Sequence, residues 1–327
     1  MAEKNVKFGF VPTEWGDFLK DAFGQIKLAE SLGFDSVWFE EHHEHERYLP
    51  SPISALSSLV NITNMRLGTA IAILPLYHPL RLAEEYAQLD RISHGRAIIG
   101  VAAGYRPKDF ENFGINLENR GKIMNEGLKL LDKLLTEESV TFSGEMFRLK
   151  DAAVQPRPFQ KPRPPIWVGG WKSEPVKRAA RYADAWFPGP VGTFTEVLKA
   201  KNVYEEELNR LGKVKVPLPI MRDAYIANNM DKALEEAKES LIYMYQQDYS
   251  SSSHPLVGGM TSGLAEWVND RVIIGSPDDA IDQTENFVKN GFNYFVLRLS
   301  LKQLKPQQML NCIRLFGEKV VPYFNGK

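Results

Sequence analysis

Short apolar runs of strand length alternate with amphipathic runs of helical period along almost the whole chain. Residues 6–11 form the first apolar run. Residues 18–32 follow with helical spacing and stop at Gly33, a helix-ending residue. Further strands are expected at 35–39, 67–74, 97–101, 166–168, 185–187, 218–227 and 294–299. Helices are expected between and after them, at 53–62, 80–92, 117–135, 174–182, 196–211, 232–245, 277–289 and 306–321. Repeated strand–helix units of this kind predict an α/β protein: a single (β/α)8 TIM barrel over residues 1–327. A doubly wound open sheet is the rival. Its Gly-x-Gly-x-x-Gly phosphate fingerprint is absent after the first strand, where Phe8-Gly9-Phe10-Val11-Pro12 stands instead.

Two stretches break the rhythm and are expected as insertions, one after strand 4 and one after strand 7. Residues 139–149 alternate around Ser143-Gly144 and read as a hairpin; a proline-rich excursion follows, so that the first insertion spans 139–165. Residues 246–270 mix Ser and Gly with Leu256, Val257, Leu264 and Trp267. A segment of that length and mixture is expected as an active-site lid, with a variable surface loop as the alternative.

Composition narrows the function classes. Net charge is −1, which gives no footprint for nucleic acid. No apolar run approaches membrane-spanning length and the N-terminus shows no leader pattern, so a cytoplasmic location is expected. The single cysteine, Cys312, lies in an amphipathic pattern and reads as a small buried apolar residue.

In a barrel of this kind chemistry sits at the strand exits. The second strand ends in Glu40-Glu41-His42-His43, within a run of acidic and imidazole side chains through Glu46. Alternation of faces lets one acid and one histidine point into the mouth, where an imidazole can exchange protons near neutral pH. A solvated charged loop is the alternative. No His-x-x-x-His spacing is present, and no metal is expected. The third exit is Pro75-Leu76-Tyr77-His78-Pro79, in which His78 reads as a packing or capping residue. The fourth exit, Gly100 to Arg106, is small enough for a planar ligand or a phosphate to approach the backbone, with Tyr105 and Arg106 beside it. The fifth, Gly169-Gly170-Trp171-Lys172-Ser173, feeds a helix N-terminus, where free N–H groups favour an anion and Ser173 can serve as N-cap or ligand. Arg298 ends the eighth strand and reaches into the barrel top or forms an ion pair. Asp90, Ser93, His94, Gly95 and Arg96 form a polar turn on the opposite face, and no chemistry is assigned to them.

Taken in order, these segments resemble the bacterial luciferase-like family of flavin-dependent monooxygenases over essentially the whole chain. The residues that carry the resemblance begin with Gly33-Phe34-Asp35-Ser36-Val37-Trp38 and Glu41-His42-His43, then Leu67-Gly68-Thr69-Ala70, Pro75 and His78-Pro79. Ala83-Glu84, Leu89-Asp90, Ser93, Gly95-Arg96, Gly100, Gly104, Asp109-Phe110 and Phe113-Gly114 continue it. Pro164-Pro165-Ile166-Trp167-Val168-Gly169-Gly170 and Gly275-Ser276-Pro277 complete it.

The resemblance implies a barrel that holds reduced FMN at the strand C-termini and oxygenates an organic substrate with dioxygen. A separate NAD(P)H:flavin reductase would supply the reduced FMN, and a homodimer is the usual assembly. His42 matches the family's active-site histidine, with Glu41 beside it. Ala70-Ile71 matches a non-prolyl cis peptide that bends strand three against the flavin ring. Gly104, Tyr105 and Gly169 through Ser173, with Trp171 and Lys172 between, match the region that holds the flavin ribityl chain and phosphate. One departure stands out. Light-emitting members carry a cysteine and an arginine between the two glycines after strand four, where this chain has Ala102 and Ala103. Bioluminescence is therefore not expected, and Lys172, Arg106 or backbone amides must take over the arginine's phosphate contact.

Two alternatives remain on the same fold: hydride transfer with a deazaflavin coenzyme, and a non-catalytic flavin-binding barrel, against which His42 argues. The substrate is expected to be a small apolar organic molecule such as an aldehyde, alkane or terpenoid. His43, Trp15 and Trp267 are assigned to it, with Trp171, Tyr105 and the 246–270 segment as further lining.

Overall fold

The computed structural model describes residues 6–14, 18–46, 48–248, 268 and 270–326. The strands are β1 (Lys7–Val11), β2 (Ser36–Phe39), β3 (Arg66–Thr69), β4 (Ala72–Ile73), β5 (Ala97–Ala102), β6 (Val140–Ser143), β7 (Arg148–Ala152), β8 (Ile166–Val168), β9 (Ala185–Trp186), β10 (Leu218–Ile226), β11 (Ile273–Gly275) and β12 (Phe292–Arg298). All but β6 and β7 join one curled parallel sheet in the order β11-β10-β12-β1-β2-β3-β5-β8-β9, with β4 beside β5. β6 and β7 form a separate antiparallel hairpin, as the alternation at 139–149 predicts. A backbone hydrogen bond from Met221 N–H to the Pro188 carbonyl, 3.0 Å, draws β10 towards the chain leaving β9. Helices cover the outside of the sheet, because each parallel crossover must return over it.

Each of the eight expected strands is present, but three expectations need correction. The third strand is not continuous. It breaks after Thr69 and resumes at Ala72 as β4. Gly68 pairs with Ile98, yet Ala72 pairs with Val101, so one residue of the β3–β4 segment is extra. β11 was not anticipated; its three buried residues, Ile273 to Gly275, follow directly on the irregular 246–270 stretch that interrupts the alternation. Several helices also change character: 117–135 is a 3-10 turn (Leu117–Asn119) followed by a helix (Arg120–Thr136), and the last begins as Pro306–Leu315 and passes through a wider-pitched turn, Phe316–Val320.

The sheet interior is filled by aromatic rings. Trp38 stacks on Trp167 with centres 5.1 Å apart and planes 20° apart, and Phe187 and Tyr294 pack on the pair. Gly68 makes room for them, since a Cβ there would fall 2.3 Å from the Trp38 ring. These rings form the floor beneath the strand exits. At the other end of the strands, Arg96 donates to the carbonyls of Val60, Thr63, Met65 and Ser93, and Asp90 accepts from Gln160. That set ties the loops at this end of the strands together.

Candidate functional site

The exit of β2 is built by strand alternation. Trp38 fills the interior, so Glu40, two residues on, also points inward and is buried. Glu41 is buried as well, but its carboxylate is committed. Oε2 accepts from the Ile73 backbone N–H at 2.8 Å and from the Tyr77 hydroxyl at 3.0 Å, and Oε1 lies 2.8 Å from His43 Nε2. Burial and the Glu41 carboxylate push the Tyr77 phenol up, so it stays a donor. His43 is therefore held from two sides, by Glu41 at its ring nitrogen and by Arg106 Nη1 at its carbonyl, 3.0 Å away. Its ring packs on Phe113.

His42 stands apart from these ties. Its ring lies against Tyr48, with centres 3.9 Å apart. Burial, reinforced by the cations Lys302, Arg106 and Arg298 and by His45, holds the imidazole well below its usual range. It is consequently uncharged at neutral pH, able to accept a proton at one ring nitrogen and donate from the other.

Behind His42 lies a buried ionic cluster assembled from five segments. Arg298 at the end of β12 donates to Asp223 of β10 through Nε at 2.5 Å and Nη2 at 3.0 Å, and its Nη1 reaches Glu40 Oε1 at 3.2 Å. Tyr245 donates to the same Asp223 carboxylate. Glu14, three residues beyond β1, accepts from the Glu40 backbone N–H at 2.7 Å. Burial, followed by repulsion from Glu40, raises Glu14 well above the usual carboxylate range. Burial also raises Glu40, against the opposing pull of Arg298 and Lys302. Glu14, Asp223, Tyr245, Tyr48 and Lys302 were not among the expected site residues. Glu14 had a usable signal, as an acid just past a strand exit; Asp223, inside a nine-residue fully buried strand, had none.

The exits of β4, β5 and β8 form a different surface. The Ala70–Ile71 bond is cis, as the resemblance implies. The break in the ladder is closed by Thr69, whose hydroxyl donates to the Gly100 carbonyl at 2.7 Å, accepts from the Gly100 N–H at 3.1 Å and pairs with the Tyr86 hydroxyl at 2.6 Å. Beyond it the small residues Ala102, Ala103, Gly104 and Gly169 are half-buried, as are Ile71, Tyr105, Gly170 and Trp171. A Cβ on Gly169 would meet Ala102, the Phe187 carbonyl and Ile71 at 3.3–3.8 Å, so the β3–β4 junction and the ends of β5, β8 and β9 converge there. Gly104 has φ +70°, and a Cβ would fall 2.7 Å from Ile73, so this turn needs glycine.

The Gly169–Ser173 turn ends at a ten-residue helix, Ser173–Tyr182. Lys172, not Ser173, is the N-cap residue, and its side chain makes no capping bond. Ser173 is the first helical residue, followed by Glu174 and Pro175. Both Lys172 and Ser173 are exposed. His78 is also settled as a cap: its Nδ1 accepts from the Leu80 N–H at 3.3 Å at the start of Pro79–Ile92. Arg106 pairs with Asp109 at 3.2 Å and does not reach this turn. Trp15, Trp267 and, within 246–270, residues 249–267 and 269 lie outside the described residues.

The chain is 24% identical over 318 residues to the oxygenase component of the flavin-dependent trigonelline monooxygenase of Acinetobacter baylyi, covering 91% of this chain and 88% of the relative. Its fold is similar to that of monooxygenase RslO1 from Streptomyces bottropensis, with a TM-score of 0.85, 23% identity, and 98% and 100% of the two chains covered. It is also similar to the coenzyme F420 dependent tetrahydromethanopterin reductase from Methanopyrus kandleri, with a TM-score of 0.81, 22% identity, and 98% and 99% covered. The family model for luciferase-like monooxygenases matches residues 11–294, and the chain belongs to that family.

Proposed function

We propose that the protein is a monooxygenase that takes reduced FMN from a separate flavin reductase and uses dioxygen to oxygenate a small apolar organic substrate. The reading includes closure of the curled sheet into a single (β/α)8 barrel, which the Met221–Pro188 hydrogen bond supports. The observation that carries it is the convergence of Ile71, Ala102 and Gly169 on one half-open surface beside the His42 loop, which Glu41 ties to Ile73.

That surface fits a flavin. Ala102, Ala103, Gly104, Gly169 and Gly170 carry little or no side chain there, so a ring system can lie against the backbone. Ala70, Ile71 and Gly104 would lie against the ring, Tyr105 and Trp171 at its edges, and Gly169 and Gly170 along the ribityl chain. Lys172 and Ser173, at a helix N-terminus, would hold the phosphate. Reduced FMN, when bound, supplies the electrons that activate dioxygen. His42 accepts or returns a proton at an imidazole nitrogen near the reacting atoms. Glu41 acts through others: it fixes His43, Tyr77 and the start of β4. The buried rings of Trp38 and Trp167 keep water from entering beneath the site.

The relative named as the oxygenase component of a flavin-dependent monooxygenase supports a separate reductase partner. The second reading is hydride transfer with a deazaflavin, which the likeness in fold to a coenzyme F420 dependent enzyme favours.

The test is oxygen uptake by the purified protein given reduced FMN, beside a titration with the deazaflavin coenzyme. Tight binding of reduced FMN, with a reaction with oxygen whose rate depends on the protein, is expected. No effect of FMN together with tight deazaflavin binding transfers the protein to the second reading. Neither response overturns both.

A further inference from the structure

Arg178, in the Ser173–Tyr182 helix, is 5% exposed, yet it forms no ion pair among the described residues. Its Nε donates to Asn125 Oδ1 at 2.6 Å, which fixes the guanidinium against the Arg120–Thr136 helix. Nη1 and Nη2 make no hydrogen bond there. Glu174, the acid one turn back, is engaged by Arg181 at 2.7 Å. Burial lowers the proton affinity of the Arg178 guanidinium; Arg181 and Arg120 add repulsion, and Glu174 and Tyr182 oppose it.

The tip of this side chain is placed by two helices. A helical side chain leans towards the N-terminus of its own helix. Five residues rise about 7.5 Å, within reach of an arginine, so the guanidinium comes level with Ser173. Gly121, the second residue of the neighbouring helix, faces it. A Cβ there would lie 3.5 Å from Arg178 Nη2, its one contact within 4 Å outside its own helix among the described residues. The two unbonded nitrogens therefore stand at the first turn of a 17-residue helix, beside the first turn of the ten-residue helix that Lys172 caps.

We propose that Arg178 is a phosphate-binding residue of the flavin site, its Nη1 and Nη2 donating to the FMN phosphate together with Lys172 and Ser173. That role rests on the reading of the Gly169–Ser173 turn as the phosphate end of the flavin. A guanidinium fork matches two phosphate oxygens, and a phosphate there restores to the buried cation the partner that burial removes. Gly121 leaves room for the ligand, and both helix starts offer N–H groups and positive dipole ends to it. Arg120 adds charge nearby, although its Nη1 is already committed to the Leu117 carbonyl at 2.9 Å. Lys172 is exposed and salt screens it; Arg178 is buried and supplies the attraction that persists at high salt.

The test is a pair of fluorescence titrations, FMN and riboflavin, on the purified protein and its variants. Arg178→Met is expected to weaken FMN about 30-fold, as for a buried charge-assisted contact, and to leave riboflavin unchanged. The loss should persist in high salt, where that of Lys172→Ala fades. Gly121→Asp carries the test if Arg178→Met does not fold. It sets a carboxylate against Arg178 at a helix start that tolerates an acid, and should weaken FMN at least as much; Gly121→Ala should change neither flavin. The 31P resonance of bound FMN gives a second readout. Its phosphate should lose the second proton below the free value of about pH 6, and move back towards that value in Arg178→Met. A wild type that prefers FMN, with Arg178→Met and Gly121→Asp that keep the whole preference, overturns the inference and leaves the site reading standing. A wild type that binds the two flavins equally, or neither, overturns both.

Discussion

Arg298 grips Asp223 with two parallel N–H donors where both side chains are almost fully buried. A bidentate pair of this kind fixes geometry, and its stability depends on both partners being present. Asp223→Ala removes two of the hydrogen bonds made by the buried Arg298 guanidinium, whose Nη1 still reaches Glu40 at 3.2 Å. The expected cost is about 3–5 kcal/mol in urea unfolding. The double variant Asp223→Leu, Arg298→Met should lose clearly less than Asp223→Ala alone. A double variant as unstable as the single one would show that the pair contributes packing and not charge compensation.

Glu14 gives a stability change with a definite sign. Its folded-state affinity for a proton is raised by burial and by Glu40. The stability it contributes is thus fully present below the unfolded value of about 4.3 and is lost as pH rises through the folded value. Glu14→Gln mimics the protonated side chain and carries no such dependence. The two proteins should match near pH 4, and the variant should be the more stable at pH 8. Equal midpoints at both pH values would mean that Glu14 is ionised without penalty in the folded protein.

Thr69 tests how the broken third strand is held. Its hydroxyl serves both backbone groups of Gly100 and the Tyr86 phenol, all buried. Thr69→Val keeps the shape and removes every one of these bonds, with an expected loss of about 2–3 kcal/mol. Thr69→Ser keeps the oxygen and should recover most of it. Chemical denaturation separates the two; a valine variant as stable as wild type would refute the bridging role.

How much of this was legible in the sequence divides by range. The strand exits at Glu41-His42, Gly104 and Gly169-Gly170 were readable because alternation of apolar and polar runs is a local property. Pairings across the sheet were not. Arg298 meets Glu40 across 258 positions, and nothing local announces Asp223 within β10, where every residue is buried and a carboxylate gives no periodic signal. Lys302 reads as an ordinary loop lysine until Tyr48 is placed beneath it. The one-residue excess between β3 and β4 is likewise a register effect, which exists only once β5 supplies the partner.

His42→Ala should reduce turnover with reduced FMN by about 10²-fold or more while changing FMN affinity only a few-fold, as for a proton-transfer group. Because burial and nearby cations lower the imidazole's proton affinity, activity that needs the neutral ring should hold down to pH values below about 6.5 before it falls. Steady-state kinetics across pH measures both. Unchanged turnover in His42→Ala, or an acid limb above pH 7, would refute the assigned role.

In the proposed reading Lys172 and Ser173 hold the phosphate of FMN. On the proposed reading Ala102 and Ala103 bring no charge to that phosphate, so it comes from another segment. Arg106 is engaged with Asp109 and the His43 carbonyl, whereas Lys172 stands exposed at a helix start without a capping bond of its own. A helix N-terminus and an adjacent ammonium act on the same ligand charge. FMN should therefore bind far better than riboflavin, and the advantage should shrink as salt rises. Lys172→Ala should weaken FMN about tenfold and leave riboflavin unaffected, because one exposed charge contributes on the order of 1 kcal/mol to such a contact. Parallel fluorescence titrations with the two flavins measure the gap directly. If Lys172→Ala weakens both equally, the turn supports the ring and the phosphate is held by another segment.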